Sequence, residues 1–131
     1  MYHTTEELLE FINGYYECAI RSSKVPLPDS GKIIELDLDN RRIDASLNLK
    51  MIQDCSLFFT ENYDDLNTCA FDLKRDFHTL GHDFWLTRNR PSTYSWEHNN
   101  GLVWERLFEA SKKFGTAELY IGSDNEIYHK Q

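Results

Sequence analysis

No apolar run in the chain approaches the roughly 20 residues that a membrane-spanning helix needs, so no span is expected. The opening residues, Met1-Tyr2-His3-Thr4-Thr5-Glu6-Glu7, have neither the basic nor the apolar region of a secretory signal, so none is expected. Cysteine is scarce: Cys18, Cys55 and Cys69 are an odd number, and none stands in a C-x-x-C arrangement. They read as buried, reduced thiols, without a disulfide framework or a cysteine metal site. None of the six glycines falls in a G-x-G-x-x-G or G-x-x-x-x-G-K pattern, so no phosphate loop is present. There is no G-x-S-x-G elbow and no H-E-x-x-H pair. Basic residues are outnumbered 14 to 22 by acidic ones, a formal charge of −8, which disfavours direct contact with nucleic acid.

What the chain does have is a core. Forty per cent of its residues are apolar and 14% aromatic, enough buried ring area to offset chain entropy. At 131 residues, the whole of 1–131 is expected to be one domain. Thr4-x-x-Glu7 is a capping box, and Leu8, Ile12, Tyr15, Tyr16, Ala19 and Ile20 follow at helical spacing, predicting a helix from about Thr5 to about Arg21. Gly14 inside it costs about 1 kcal/mol relative to Ala, and marks either close packing or a weak spot.

A loop rich in proline (Pro26, Pro28) and closed by Gly31 leads to "KIIELDLDN", where Ile34, Leu36 and Leu38 alternate with Glu35, Asp37 and Asp39 as in a half-exposed strand. The three acids share one face. They could hold Mg²⁺ or Ca²⁺, although such a row more often simply faces water. From about Asp44, with Asp44 or Ser46 able to cap it, the period is again helical through Leu47, Met51, Ile52, Cys55, Phe58 and Phe59, with a bend near Tyr63-Asp64-Asp65. Ala70, Leu73, Phe77 and Leu80 predict a further helix, closed by Gly81.

"HDFWLTRN" then puts Phe84 and Leu86 on one side and Trp85 and Thr87 on the other, predicting a strand covered on both faces, with 93–97 as its return. Val103, Leu107, Ala110 and Phe114 mark a helix started at Asn99-Asn100-Gly101 and stopped at Gly115. A hairpin at 117–129 ends the chain. The expected fold class is α+β, a small antiparallel sheet packed on one face by about four helices.

Two stretches carry candidate chemistry. Residues 51–73 contain Asp54, Glu61, Asp64, Asp65 and Asp72 and no Lys or Arg. With rings from Tyr63, Tyr94 and Trp96, these acids are the candidate partner-binding residues; a plainer role is a solvated helix face. Arg88 and Arg90, beside Trp85, Tyr94 and Trp96 and near His98, are the candidate small-molecule platform; alternatively Arg88 pairs with a carboxylate and the tryptophans pack. His78 and His82 have the spacing of two ligands on one helix face, but a helix ended by Gly81 would aim them apart. No metal and no cofactor is therefore expected.

At "DCSLFFTENYDDL" (54–66), "GHDFWLTRN" (81–89), "GLVWERLFEASKKFG" (101–115) and "ELYIGSDNEIY" (118–128), the chain resembles successive blocks of a family of small proteins carried by bacteriophages and plasmids. The D-F-W-L-T-R-N block is the specific one. The family follows it with a Gly/His-rich turn, where this chain has Arg90-Pro91-Ser92-Thr93-Tyr94-Ser95-Trp96. The resemblance implies context more than chemistry: an accessory protein made by a mobile element in the cytoplasm of a bacterial host.

Three functions follow as expectations. The first is a non-enzymatic binder, an acidic inhibitor of a host nucleic-acid-binding defence protein such as a restriction or CRISPR effector. The second is a ligand-binding protein or enzyme built on Arg88, Arg90 and the neighbouring rings, with His82 or His98 as a perturbed histidine. The third is a structural homodimer joined through the terminal hairpin or a tryptophan patch.

Overall fold

A computed structural model describes residues 5–36, 41–72, 74–89 and 101–130. Helix α1 runs Thr5–Ser22, as its spacing predicts, and buries Phe11, Ile12, Tyr15, Cys18 and Ala19 along one face. The expected cap, Thr4, lies outside the described residues. Strands β1 (Lys24–Pro26) and β2 (Ile33–Glu35) pair antiparallel, Val25 opposite Ile34. Asp37 and Asp39 of the acidic row lie outside the described residues.

Helix α2 (Ala45–Glu61) is capped by Asp44, whose carboxylate accepts from the Ser46 and Leu47 amides at 3.0 and 3.4 Å. At Asn62, just before the bend expected near Tyr63-Asp64-Asp65, the chain turns into α3 (Tyr63–Asp72). Helix α3 closes at Lys74, which takes a left-handed φ of 55° while the Arg75 amide reaches back to Cys69 O at 3.2 Å.

Here the structure departs from expectation. The segment expected to be a strand is helix α4, Phe77–Asn89. It is started by Asp76, whose carboxylate accepts from the Thr79 amide at 2.7 Å. Gly81 does not stop a helix. It lies inside α4 against α1, where a Cβ would come within 2.1 Å of Phe11 O. Gly14 answers from the other side: a Cβ there would meet His78 O at 1.9 Å. The two glycines let the backbones of α1 and α4 touch, and this is the most extensive contact between elements of the fold. Around the crossing the rings of α1, α2 and α4 interleave, with Phe58 stacked on Phe84 at 4.1 Å and Phe11 packed against both.

Helix α5 (Leu102–Lys112) packs on α3 and α4, and strands β3 (Glu118–Ile121) and β4 (Ile127–Lys130) form the terminal hairpin, Leu119 opposite His129. Its turn uses Asn125 at φ 68°. Asp44 N donates to Ile127 O and Ile127 N to Arg42 O, tying the start of α2 to β4. The α+β class stands, but its layout differs from one sheet under about four helices: five helices accompany two separate two-stranded sheets among the described residues. With 82–89 helical, no central strand joins the hairpins among the described residues. The expected return strand at 93–97 lies outside the described residues.

Candidate functional site

Helix α4 lays the D-F-W-L-T-R-N block across the interior; Asp83, Trp85, Arg88 and Asn89 each tie it to another segment, while the buried Thr87 hydroxyl makes no hydrogen bond. Asp83 is buried and takes a two-pronged pair from Arg75, at 2.5 and 2.8 Å. Trp85 Nε1 donates to Ser22 Oγ at the end of α1, at 2.9 Å. Asn89 donates to Trp85 O and accepts from the Ala117 amide, at 2.9 and 2.6 Å.

Arg88 is the hub. It is buried between the rings of Phe84 and Phe114, and all its nitrogens are engaged. Nη1 donates to Asp54 Oδ2 at 3.0 Å and to Tyr15 Oη at 2.9 Å; Nε donates to Gly115 O and Nη2 to Phe114 O. Burial holds the Tyr15 phenol well above its ordinary range, against the pull of Arg88, so it stays a neutral partner. The expected exposed platform is therefore corrected at Arg88, which is part of the framework. Arg90, Tyr94, Trp96 and His98 lie outside the described residues. Trp85 and Trp104 are buried, so neither contributes to a surface tryptophan patch for self-association.

The acidic run divides. Asp54 is buried, bound by Arg88 and by Lys50 Nζ at 3.0 Å, and offers no charge to a partner. Tyr63, expected as an exposed anchor, is only 7% exposed, and its hydroxyl donates to Glu7 Oε1 at 3.0 Å. Burial first, and then that bond, raise its pKa. Asp65 is half-buried and takes two bonds from Arg106, at 2.8 and 2.6 Å. Glu61, Asp64 and Asp72 do face solvent. Among the described residues none of these three makes an ion pair. Between them stands a ring that sequence reasoning missed: Phe71, 69% exposed. The clue was in the helical phase, since the turn that buries Leu66 and Cys69 throws Phe71 to the opposite side.

A second group missed in the sequence lies at the α1–α4 crossing. Because α4 continues through Gly81, His78 and His82 share one face, their ring centroids 5.1 Å apart. Glu17, one turn beyond Gly14, faces both: Oε2 is 3.2 Å from His78 Nε2 and Oε1 is 3.4 Å from His82 Nε2. The expectation that the two rings point apart is overturned, because the glycine that was read as a helix stop is a helix contact.

Beside Arg88 a cavity of about 360 Å³ opens, walled by Tyr15, Lys50, Asp54, Trp85 and His129 among others. The cysteines are buried thiols. Burial pushes Cys69 up to about 12 and Cys55 well above its ordinary value, which leaves neither a ready nucleophile. No helix among the described residues is long and apolar enough to cross a membrane. Comparison with protein-family models, with curated proteins and with solved structures found no match.

Proposed function

We propose that the protein acts by binding, as a phage- or plasmid-encoded accessory protein that occupies a basic, nucleic-acid-binding surface of a host defence protein such as a restriction or CRISPR effector. The observation that supports this most is the exposed face of α3, with Asp64 and Asp72 around Phe71 and Glu61 at the adjoining end of α2, in a stretch without Lys or Arg. Carboxylates on such a face attract a cationic groove at long range and speed encounter, while a desolvated ring sets residence time. Phe71 takes over the anchoring role first assigned to Tyr63. The resemblance to mobile-element proteins supplies the cellular setting.

The test is capture from host lysate with the tagged chain, washed at rising salt, with retained proteins identified by mass spectrometry and then challenged with nucleic acid. The reading expects a nucleic-acid-binding protein that is released by salt and displaced by DNA or RNA. A retained protein indifferent to both, or none, sinks it.

The cavity beside Arg88 favours a second reading, a small-molecule site. Arg88 and Asp54 already satisfy each other there, which leaves His129 to meet a ligand together with Lys50, whose half-exposed ammonium can turn from Asp54. Thermal-shift screening of the wild type against Lys50→Ala and His129→Ala separates the two readings: a compound whose stabilisation is lost in both variants speaks for the cavity.

A further inference from the structure

We propose that Glu17, His78 and His82 form a binding site for a divalent transition-metal ion of the zinc type, with its fourth coordination position open to solvent. Two imidazoles and a carboxylate are a donor set that such ions accept, and three protein ligands with one open position is the pattern of reactive rather than purely structural sites.

The distances carry the proposal. Ligands held 2.0–2.1 Å from a tetrahedral zinc stand about 3.3–3.4 Å from one another. The His78 and His82 nitrogens reach the two Glu17 oxygens, Oε2 at 3.2 Å and Oε1 at 3.4 Å, and with one donor atom taken from each residue the three lie within 4.8 Å of one another. Small rotations of two half-exposed imidazoles close the remainder. Among the described residues, no other three His, Cys, Asp or Glu side chains gather in this way.

The backbone prepares the arrangement. Gly14 and Gly81 bring α1 and α4 into contact, so side chains one turn away on the two helices are held within ligand reach before any ion arrives. His82 adds to this. Its Nε2 is shielded from solvent and makes no hydrogen bond, with Glu17 Oε1 3.4 Å away. A buried nitrogen without a hydrogen-bond partner calls for an explanation, and a metal ion is one. Charge is compatible: Arg21 also pairs with Glu17 Oε1, at 3.2 Å, but its side chain is largely exposed and can swing into water. The site is distinct from the α3 carboxylates and does not rest on the binding function proposed above.

The full chain, stripped with chelator and dialysed, is titrated with zinc chloride by calorimetry and melted with and without zinc. One ion per chain is expected, together with a rise in melting temperature, because an ion that binds only the folded state stabilises it. His78→Gln and His82→Gln are each expected to weaken binding at least tenfold, and the double variant to abolish it, with circular dichroism confirming the fold. Absence of saturable binding overturns the proposal, and so does binding that survives the double variant. Should the variants not fold, imidazole nitrogen NMR of the wild type decides: zinc must shift His78 and His82, and a shift confined to other histidines overturns the site.

Discussion

Asp54 and Asp64 belong to one acidic run and stand ten residues apart, yet the fold treats them oppositely. Asp54, on α2, points inward and is consumed by Arg88 and Lys50. Asp64, on α3, faces water. The same contrast separates the two stretches that hold them in place. In 83–89 charged and aromatic side chains are buried and engaged with one another; in 61–72 carboxylates and a phenylalanine stand outward. A charge beside a ring is thus framework in one stretch and the proposed working surface in the other. The phase of the helix and the distant segments that meet it decide which, because together they fix whether the pair is desolvated with a partner or left in water.

Substitutions probe that contrast in decreasing order of effect. Phe84→Ala empties the centre of the ring stack with Phe58 and Phe11 and is expected to cost about 3–5 kcal/mol in urea unfolding. A cost near zero would move 83–89 to the surface. Gly81→Ala forces a methyl against the Phe11 carbonyl and is expected to lose about 3 kcal/mol, separating α1 from α4 and weakening zinc binding in parallel. A zinc affinity unchanged in that variant would uncouple the crossing from the proposed metal site.

Asp76→Ala removes the cap of α4, for about 1 kcal/mol. The Thr79 amide holds the Asp76 carboxyl below the ordinary carboxylate range. Because its folded pKa is the depressed one, its contribution is complete above the unfolded value, near pH 4, and disappears as pH falls through the folded value. The variant's acid unfolding curve is therefore expected to be flatter than the wild type's below about pH 4. Smallest in stability, the pair Asp64→Lys and Asp72→Lys is expected to leave unfolding within about 0.5 kcal/mol of wild type. It should nonetheless lower retention of a captured partner about tenfold or more, since the effect is on encounter and salt dependence and not on the fold.

Most of this was legible where a helix shows one face to water. The spacing in α1, the Asp44 cap, the bend at Asn62 and the terminal hairpin all stand as the sequence indicates. Helix α4 was not legible, for a definite reason. Leu80, Asp83, Phe84, Trp85, Thr87 and Arg88 bury it on nearly every side, so it has no amphipathic stripe, and a short covered run mimics an interior strand. The clue that remained was the second glycine: Gly14 was open to reading as close packing, and a close contact needs a small residue on the facing element. With Gly81 as a helix stop, His78 and His82 separate and Arg88 falls on a surface; with Gly81 as a contact, they meet and Arg88 is buried. The division of acids into buried and exposed needed partners distant in sequence, 34 residues for Arg88 and Asp54, which local spacing does not reveal.

The distinction between framework and working surface is tested most directly by the stability of Arg88→Ala in urea. Removing the guanidinium leaves Asp54 buried with Lys50 alone and strips the Phe114 and Gly115 carbonyls of their donor, so the expected loss is about 3–5 kcal/mol. An unchanged unfolding midpoint, accompanied by loss of binding, would contradict the account and make Arg88 a contact residue.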